Sequence, residues 1–367
     1  MKIINVTVFR TFNYGALLQA YALQRKLIDL GYSCYILNYR PKENEKRFKK
    51  IFQKSNNIKE LVYNIIALIK FNESKSKISN ANLFCSRYLV LTKKYETYDE
   101  ILRDKPEANI FICGSDQIWN PKIHGLSPLY FLDFVDSNKS IKASFAASIG
   151  ENYLEEKYKD RVEKFLDEFH HISVREDKAK DILSYTGRDI QVISDPVFLL
   201  NKNEWINLSK PTSIKEKYIL CYFLYQPKFL NNFLKYIKNK TGYKIISVTP
   251  EPFSKLYHDK LIRDVGPDGF LGLLANAEIV ITSSFHGTAL SILLEKEFYS
   301  IISQTRGSRI INLLKNTKLE NREITEQNMF TDLNDKIDYV ETNKLINNMR
   351  GMSLSYINEL LQSASKD

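Results

Sequence analysis

Apolar residues in the first forty positions follow two different periods. An apolar run at residues 3–9 is typical of a β-strand, and residues 16–30 then carry apolar side chains at helical spacing. Gly31 ends that helix, and residues 33–39 form a second strand-like run. Strand, helix and strand in this order predict a right-handed crossover between parallel strands. The turn at 13–15 would then lie at the carboxyl end of the first strand, where such folds bind ligands.

The alternation of strands and helices continues along the chain and predicts an α/β fold with parallel sheets in two consecutive halves. Strands are predicted at 110–113, 142–148, 171–174, 191–196, 218–223, 244–249, 277–283 and 298–303, and helices at 154–169, 228–240, 269–275 and 287–295. Pro196 cannot simply continue the strand before it. We therefore expect an N-terminal domain at 1–195, a C-terminal domain at 196–341, and a helix at 342–367 that packs back on the body.

Residues 40–80 form a basic segment that differs in composition from the rest of the chain. It contains eleven Lys or Arg and four Asp or Glu, and so contributes +7 to a net charge of +10. Apolar residues are interleaved with these charges, which predicts a basic helical insertion. Two interpretations stay open: a peripheral contact with an anionic membrane, or a helical lid whose apolar side packs on the first domain, as is usual in soluble enzymes.

Length and composition restrict the class of protein. The 367 residues are enough for two domains, and 44% hydrophobic residues with 45 aromatic side chains exclude a disordered chain. The start of the chain lacks the apolar stretch of a secretory signal, and no window is apolar enough to span a membrane, so we expect a cytoplasmic protein. A positive charge favours anionic partners, but no nucleic-acid-binding motif is present and no nucleic acid partner is expected.

The four cysteines are widely separated in sequence. Cys34, Cys85, Cys113 and Cys221 form no close pair, and none is spaced with a histidine as a zinc ligand would be. We therefore predict buried, reduced thiols. No cluster of residues suggests a metal site or a bound cofactor, and neither is expected.

The clearest candidate for chemistry is His286. It follows an apolar strand and precedes an apolar helix, so it is predicted at a strand end beside a helix N-terminus, where an anion could bind. Ser284, Gly287 and Thr288 supply hydrogen-bond donors and room for a ligand at the same point. Arg306 and Arg309 follow the next strand and could clamp a carboxylate or phosphate bidentately. A histidine that only caps a turn, followed by an ordinary basic loop, is the alternative.

Seven short segments, in this order, resemble the polysaccharide pyruvyl transferases. Each is weak alone, but together they span some 300 residues and are hard to obtain by chance. The segments are 13–23 (NYGALLQAYAL), 113–121 (CGSDQIWNP), 144–150 (SFAASIG), 173–176 (SVRE), 194–197 (SDPV), 282–287 (TSSFHG) and 306–309 (RGSR).

The resemblance implies two Rossmann-like halves facing a cleft, similar to the GT-B glycosyltransferases. It also implies transfer of a pyruvyl group from phosphoenolpyruvate to a sugar of a surface polysaccharide, an exopolysaccharide or its lipid-linked precursor, as a ketal. His286 matches the family's essential histidine, and Arg175 its essential arginine. The chain departs from the many relatives that carry Arg-Leu-His and a lysine after the next strand, because it has Ser284-Phe285-His286 and an arginine pair.

Ketal formation from phosphoenolpyruvate requires an acid near neutral pKa and several cations. His286 is the predicted acid, and Arg175, Arg306 and Arg309 are the predicted clamp for the donor. An ion pair of Arg175 with the acidic residues that follow it is the alternative for that arginine.

Residues of two strand-exit turns are candidates for binding the saccharide acceptor. Asn13, Tyr14, Ser115 and Asp116 could bind its hydroxyls, and Trp119 could stack on a sugar face. A structural role in the turns and the core is the alternative for each of them. A GT-B type glycosyltransferase with a nucleotide sugar as donor would share the fold and the basic cleft, and is the alternative function.

Overall fold

A computed structural model describes residues 1–50, 52, 57–69, 71–249, 254–303, 307–330 and 335–365. The first half contains β1 (Lys2–Val6), α1 (Tyr14–Asp29), β2 (Ser33–Tyr39), α2 (Lys42–Lys49), α3 (Ile58–Ile69), α4 (Phe71–Tyr88), β3 (Leu91–Tyr95), α5 (Tyr98–Asp104), β4 (Ile110–Cys113), α6 (Pro121–His124), β5 (Ile141–Ser144), α7 (Glu156–Asp167), β6 (Ile172–Val174), α8 (Asp177–Leu183) and β7 (Ile190–Val192).

The second half repeats the alternation. It contains α9 (Lys202–Leu208), β8 (Tyr218–Tyr222), α10 (Leu230–Thr241), β9 (Lys244–Val248), β10 (Lys260–Ile262), α11 (Pro267–Ala275), β11 (Ile279–Thr282), α12 (Phe285–Leu293), β12 (Glu297–Ile301), α13 (Ser308–Asn316), β13 (Glu323–Ile324) and α14 (Tyr339–Ser363). Short 3₁₀ helices occur between these elements, among them Pro196–Leu199.

Both halves are built on parallel sheets with the same strand order. The first sheet runs β3-β2-β1-β4-β5, and the β6-β7 pair continues it beyond β5 through single parallel bridges. The second sheet runs β10-β9-β8-β11-β12-β13. In each sheet the second and third strands are added on one side of the first strand, and the fourth strand is added on its other side. Ligands bind at the carboxyl ends of the strands at such a switch point. The predicted α/β architecture of two Rossmann-like halves is confirmed.

Helices α1, α11 and α12 pack between the two sheets and join them through one apolar core. That core contains side chains from both halves, among them Leu17, Leu18, Phe270 and Leu290, all at most 1% exposed. The N-termini of α1 and α12 therefore meet where the two sheets face each other.

The last helix, α14, returns to the first half as predicted. The Tyr356 hydroxyl donates to the Ser144 carbonyl at 2.8 Å, and the Ser353 and Ser194 hydroxyls are 2.8 Å apart. Tyr356 and its neighbours Ile357 and Leu360 are buried in the core on that side of the first sheet. The domain boundaries near 195 and 341 stay predictions.

Some elements differ from the sequence-based expectations. The pattern did not predict β3, because Lys93 and Lys94 are exposed on this edge strand and interrupt its apolar alternation. The strand predicted at 142–148 ends at Ser144, since Ala146 adopts a positive φ of 51°. Helix α12 begins at Phe285, two residues before the predicted start, because the Ser284 side chain caps it.

Two predictions concern the state of the cysteines and the presence of a membrane-spanning helix. All four cysteines are buried and unbonded to one another, as predicted. Among the described residues, no helix combines the length and the apolar content that crossing a bilayer requires.

Candidate active site

Four polar residues from distant parts of the chain meet where the two sheets face each other. Ser115 follows β4, Arg175 follows β6 and Asp195 lies three residues after β7, all in the first half. His286 comes from the second half, in the first turn of α12. All four are at most 5% exposed. The cluster thus lies at the carboxyl ends of the strands, as the order of the elements predicts.

Asp195 is the centre of the cluster. Its Oδ2 accepts hydrogen bonds from Arg175 Nη1 at 2.6 Å and from Ser115 Oγ at 2.8 Å. Its Oδ1 accepts from the Val197 backbone N–H at 3.1 Å, which caps the following 3₁₀ helix. Burial acts to raise the pKa of Asp195, but the electrostatic attraction of His286 and then of Arg175 outweighs it and holds the pKa well below its usual range. Asp195 is therefore an ionised carboxylate.

His286 is held between Asp195 and the start of α1. Its Nε2 lies 3.3 Å from Asp195 Oδ2, within ion-pair range but without hydrogen-bond geometry, and is buried without another partner. The opposite side of the ring packs on Gly15, where a Cβ would lie 2.2 Å from His286 Nδ1. Only glycine allows this approach. Nε2 therefore faces the Asp195 carboxylate, and Nδ1 faces Gly15.

Within the part of the chain that the structure describes, two buried nitrogens of Arg175 have no hydrogen-bond partner. Its guanidinium lies 4.5 Å above the Phe285 ring, and its Nε is 3.8 Å from Glu176 Oε2. Burial acts to lower the pKa of Arg175, but Asp195 and Glu176 outweigh it and raise the pKa. The Nε and Nη2 atoms make no hydrogen bond. The main partner of Arg175 is thus Asp195, and Glu176 is a weaker one.

Arg309, on α13, adds a second guanidinium to the cluster. With the Gln117 amide oriented by its surroundings, the amide oxygen accepts from Arg309 Nη2 at 3.1 Å and Nη1 at 3.3 Å, while Arg309 Nε is buried and unpartnered. Burial and then the positive charge of Arg175 lower the pKa of Arg309 to about 10. Arg306, the other predicted clamp residue, lies outside the described residues.

The buried polar atoms that lack a hydrogen-bond partner indicate which kind of ligand the site could bind. Buried polar groups in folded proteins almost always have a partner, so such atoms need an explanation. Here Arg175 contributes two donors, Arg309 one, and His286 a ring nitrogen, while Glu176 Oε2, 3.8 Å from Arg175 Nε, is an unpartnered acceptor. A small cavity beside both arginines is lined by Phe285 and Met352 among others. These donors match the oxygens of a small anion.

The three residues predicted to bind the donor beside His286 are occupied within the fold. Ser284 Oγ accepts from the Gly287 N–H at 3.3 Å, and the Thr288 hydroxyl bonds to the Ser284 carbonyl and lies 2.8 Å from Ser300 Oγ. A Cβ on Gly287 would lie 2.4 Å from Thr282 Oγ1, so this glycine allows α12 to pack against β11. These residues start and seat the helix that carries His286. Direct contact with a donor stays a prediction for them.

The stacking role predicted for Trp119 is wrong. The Trp119 ring is 2% exposed, stacks on Phe131 at 5.4 Å and meets the edge of Phe169 at 6.0 Å. Its Nε1 donates to the Tyr130 carbonyl at 3.0 Å. Since neither face of the ring is open, no sugar can stack on it, and the structural alternative holds.

Tyr14 is a contact between the halves and not an open acceptor group. Its ring stacks on Phe270 at 4.6 Å, and its hydroxyl donates to the Val265 carbonyl at 3.3 Å. Asn13 Oδ1 accepts from the Gly15 N–H at 3.1 Å and caps α1. The Tyr14 prediction is therefore corrected, because burial in this interface takes up its side chain.

Ser115 belongs to the cluster, and Asp116 follows it in the same turn. Ser115 is fully buried and bonds to Asp195, whereas Asp116 is partly exposed with a positive φ of 80°. The Thr7 hydroxyl donates to the Ser115 carbonyl at 3.1 Å, and Thr7 also lines a large open cleft on the first half. The acceptor roles of Ser115, Asp116 and Asn13 stay predictions.

Residues 13–305 match the family model of the polysaccharide pyruvyl transferases. The chain belongs to this family. Two solved structures share its fold at 13% sequence identity, both UDP-N-acetylglucosamine 2-epimerases. One, from Neisseria meningitidis, has a TM-score of 0.51 over 98% of this chain and 100% of that chain; the other has a TM-score of 0.54 over 100% and 97%. No curated protein matches in sequence. The likeness establishes the GT-B-type fold of this pyruvyl transferase family member.

Sequence reasoning missed the residue that organises the site. Asp195 was part of a matching segment, 194–197, but received no role. A signal was present, because an aspartate between a strand end and Pro196 is typical of a capping residue at the ligand-binding edge of a sheet. The contact of Gly15 with His286 had no sequence signal, since 271 positions separate the two residues.

Proposed function

We propose that this chain transfers a pyruvyl group from phosphoenolpyruvate to two hydroxyls of a sugar, as a ketal. The observation that supports this donor is the set of unpartnered buried nitrogens on Arg175, Arg309 and His286. Phosphoenolpyruvate combines a carboxylate and a phosphate on a three-carbon unit. Two guanidinium groups in one small buried site suit such an anion, because each can bind two oxygens in a planar fork.

In the proposed reaction, His286 delivers a proton to the methylene carbon of phosphoenolpyruvate. The C2 carbon becomes an oxocarbenium-like centre, one sugar hydroxyl adds to it, and a second displaces inorganic phosphate. The product is a ketal with a new methyl group. Of the two protons that the hydroxyls release, one replaces the proton that His286 delivered and the other protonates the leaving phosphate. Arg175 and Arg309, together with Arg306, would hold the charge of the donor during these steps.

Asp195 is proposed to position both reactive partners. Its ionised carboxylate lies 3.3 Å from His286 Nε2, where it orients the imidazole, and it accepts a hydrogen bond from one nitrogen of the Arg175 guanidinium. A buried carboxylate shared by a base and a clamp keeps both in one geometry. His286, which delivers the proton, and Arg175, which binds phosphoenolpyruvate, are therefore both expected to depend on Asp195.

The acceptor is proposed to enter from the open cleft on the first half. This cleft lies at the carboxyl ends of β1 and β2 and is lined by Phe9, Tyr39 and Tyr130, together with Arg10, Arg40 and Glu45. Arg10 and Glu45 form an ion pair at 2.6 Å. Aromatic walls suit the rings of a saccharide acceptor, such as a lipid-linked precursor of a surface polysaccharide. The reaction is proposed to take place in the cytoplasm.

Calorimetric titration decides between the proposed donor and the alternative. We expect phosphoenolpyruvate to bind, and UDP- and GDP-sugars not to bind. Arg175→Lys, Arg306→Lys and Arg309→Lys should each weaken phosphoenolpyruvate binding, because lysine keeps the charge but loses the planar fork. Arg25→Lys is the matched control, since Arg25 pairs only with Asp29 on the surface of α1. Binding of a nucleotide sugar without phosphoenolpyruvate would favour the GT-B glycosyltransferase.

A further inference from the structure

Helix α3 exposes an apolar face to solvent. Its exposed residues recur at helical spacing, with Ile58 80%, Leu68 66% and Ile69 75% exposed. The whole face comprises Ile58, Leu61, Val62, Ile65, Leu68 and Ile69. Phe52 and Phe71 continue this apolar patch, and their rings stack at 6.3 Å. A helix of a soluble domain normally turns such a face towards the core.

The opposite face of α3 is the one that packs on the protein. It contains Glu60, Tyr63, Asn64 and Ala67, at positions i, i+3, i+4 and i+7. Ala67 is 1% exposed, and the other three are partly buried. Six large apolar residues of the helix therefore face outward, while Glu60, Tyr63, Asn64, Ile66 and Ala67 are partly or fully buried. The lid interpretation, in which the apolar side packs on the first domain, does not hold for α3.

The sequence segment that contains this face is strongly basic. The segment 40–80 that contains α3 has a net charge of +7, whereas the remainder of the chain contributes only +3. Lys46 and Lys50 are exposed near the start of the segment. Apolar area together with positive charge is what an anionic lipid surface binds, and each signal alone gives only weak attachment.

We propose that the apolar face of α3 docks into the interface of an anionic lipid bilayer. The helix has 12 residues and is about 18 Å long, so it can lie in the interface but cannot cross a hydrocarbon core of about 30 Å. A second copy of the chain fits less well. The footprint of one such helix, about 18 Å by 10 Å, is far below the ~800 Å² that each partner contributes to a standard protein interface.

Docking through α3 would hold the first half of the chain, with its open cleft, at a lipid surface. Helix α3 is followed directly by α4, whose Ala81, Phe84 and Cys85 are buried in the core of the body. The position of α3 is thus coupled to the half that carries the cleft. A lipid-linked acceptor would meet the cleft at this surface, which rests on the proposed function, whereas the docking itself does not.

Co-sedimentation with vesicles tests the docking. The wild-type chain should pellet at low salt with vesicles of equal parts phosphatidylcholine and phosphatidylglycerol, less with phosphatidylcholine alone, and less as salt rises. The double variant Ile65→Gln, Leu68→Gln should bind at least about tenfold more weakly, because two buried aliphatic side chains are lost from the interface. Replacing Lys46, Arg47, Lys49 and Lys50 by Gln should remove the preference for the anionic vesicles.

The matched control is Ile206→Gln, Val340→Gln, which changes two exposed apolar residues on α9 and α14. It should bind vesicles like the wild type, and all variants should keep the wild-type melting temperature. Absence of wild-type pelleting at low salt, or equal loss in both double variants, would overturn the proposal. So would a lipid-free dimer that the α3 variant dissociates, since the face would then bind a second copy. Unchanged phosphoenolpyruvate binding by the α3 variant separates this result from the proposed function.

Discussion

The contact between Gly15 and His286 gives the sharpest test of the site. An alanine Cβ at position 15 would lie 2.2 Å from Nδ1, 2.3 Å from Cγ and 2.5 Å from Cβ of His286. Ordinary contacts of this kind need 3.4 to 4 Å. Rotation of the imidazole ring relieves the first distance only, because Cβ and Cγ are fixed close to the backbone of α12. The Gly15→Ala change must therefore move α1 and α12 apart by about 1 Å.

Two costs follow from that movement. Overpacking a closely packed interface costs about 1–3 kcal/mol of the free energy of unfolding. Displacing a catalytic group by about 1 Å costs about 100-fold in rate. We therefore expect Gly15→Ala to lower kcat nearly as much as loss of His286 itself, while the protein still folds. In a His286→Ala background, the additional loss of kcat from Gly15→Ala should be small, because the displaced group is already absent.

The assay is phosphate release from phosphoenolpyruvate in the presence of the acceptor, with denaturant unfolding measured in parallel. Gly351→Ala is the matched control, because Gly351 is in α14 with open space around its Cβ position. Alanine is the better helix former, so this control should keep wild-type kcat and gain about 0.5–1 kcal/mol. A folded Gly15→Ala variant with kcat within about twofold of wild type would refute the positioning of His286 by this contact.

Three further predictions concern the charged cluster. His286→Ala should reduce turnover by about 100-fold or more at an unchanged melting temperature; near-wild-type turnover would remove His286 from the mechanism. Asp195→Asn should cost about 3–5 kcal/mol in denaturant unfolding, because Arg175 and His286 lose their shared negative charge, and an unchanged midpoint would contradict this. Because the folded state lowers the pKa of Asp195, its contribution to stability is present at neutral pH and lost as pH falls below about 4. The unfolding midpoint of Asp195→Asn should therefore fall less than that of the wild type between pH 5 and pH 3; parallel curves would argue against an ionised Asp195.

The sequence was informative wherever one local rule decided the structure. The strands 33–39 and 110–113 have the predicted bounds, because continuous apolar runs between turn residues are typical of buried parallel strands. The edge strand β3 could not be predicted in this way, since its exposed lysines give no apolar pattern. Trp119 shows a second limit, because an aromatic residue in a polar turn can equally line a cleft or fill a core, and only packing decides.

The candidate site was partly predictable for the same reason. His286 was identified because residues after parallel strands gather at one edge, whereas Arg175 was identified through the family resemblance. The strand-end rule cannot say how two halves face each other. The packing of Gly15 on His286 and the sharing of Asp195 between Arg175 and His286 both depend on that tertiary arrangement.

The balance of charge in the cluster bears on the arginine pair that distinguishes this chain. Arg175 and Arg309 are opposed by Asp195 and Glu176, and Asp116 adds a further negative charge, so these groups carry no net positive charge before any donor binds. A buried site without net positive charge binds a multiply charged anion poorly, because the anion loses its hydration and gains no opposite charge in return. Further positive charge is therefore needed. The N-termini of α1 and α12 each supply about half a charge, and a protonated His286 supplies one more. Arg306, which lies outside the described residues, is proposed to supply the remaining charge for a trianionic donor.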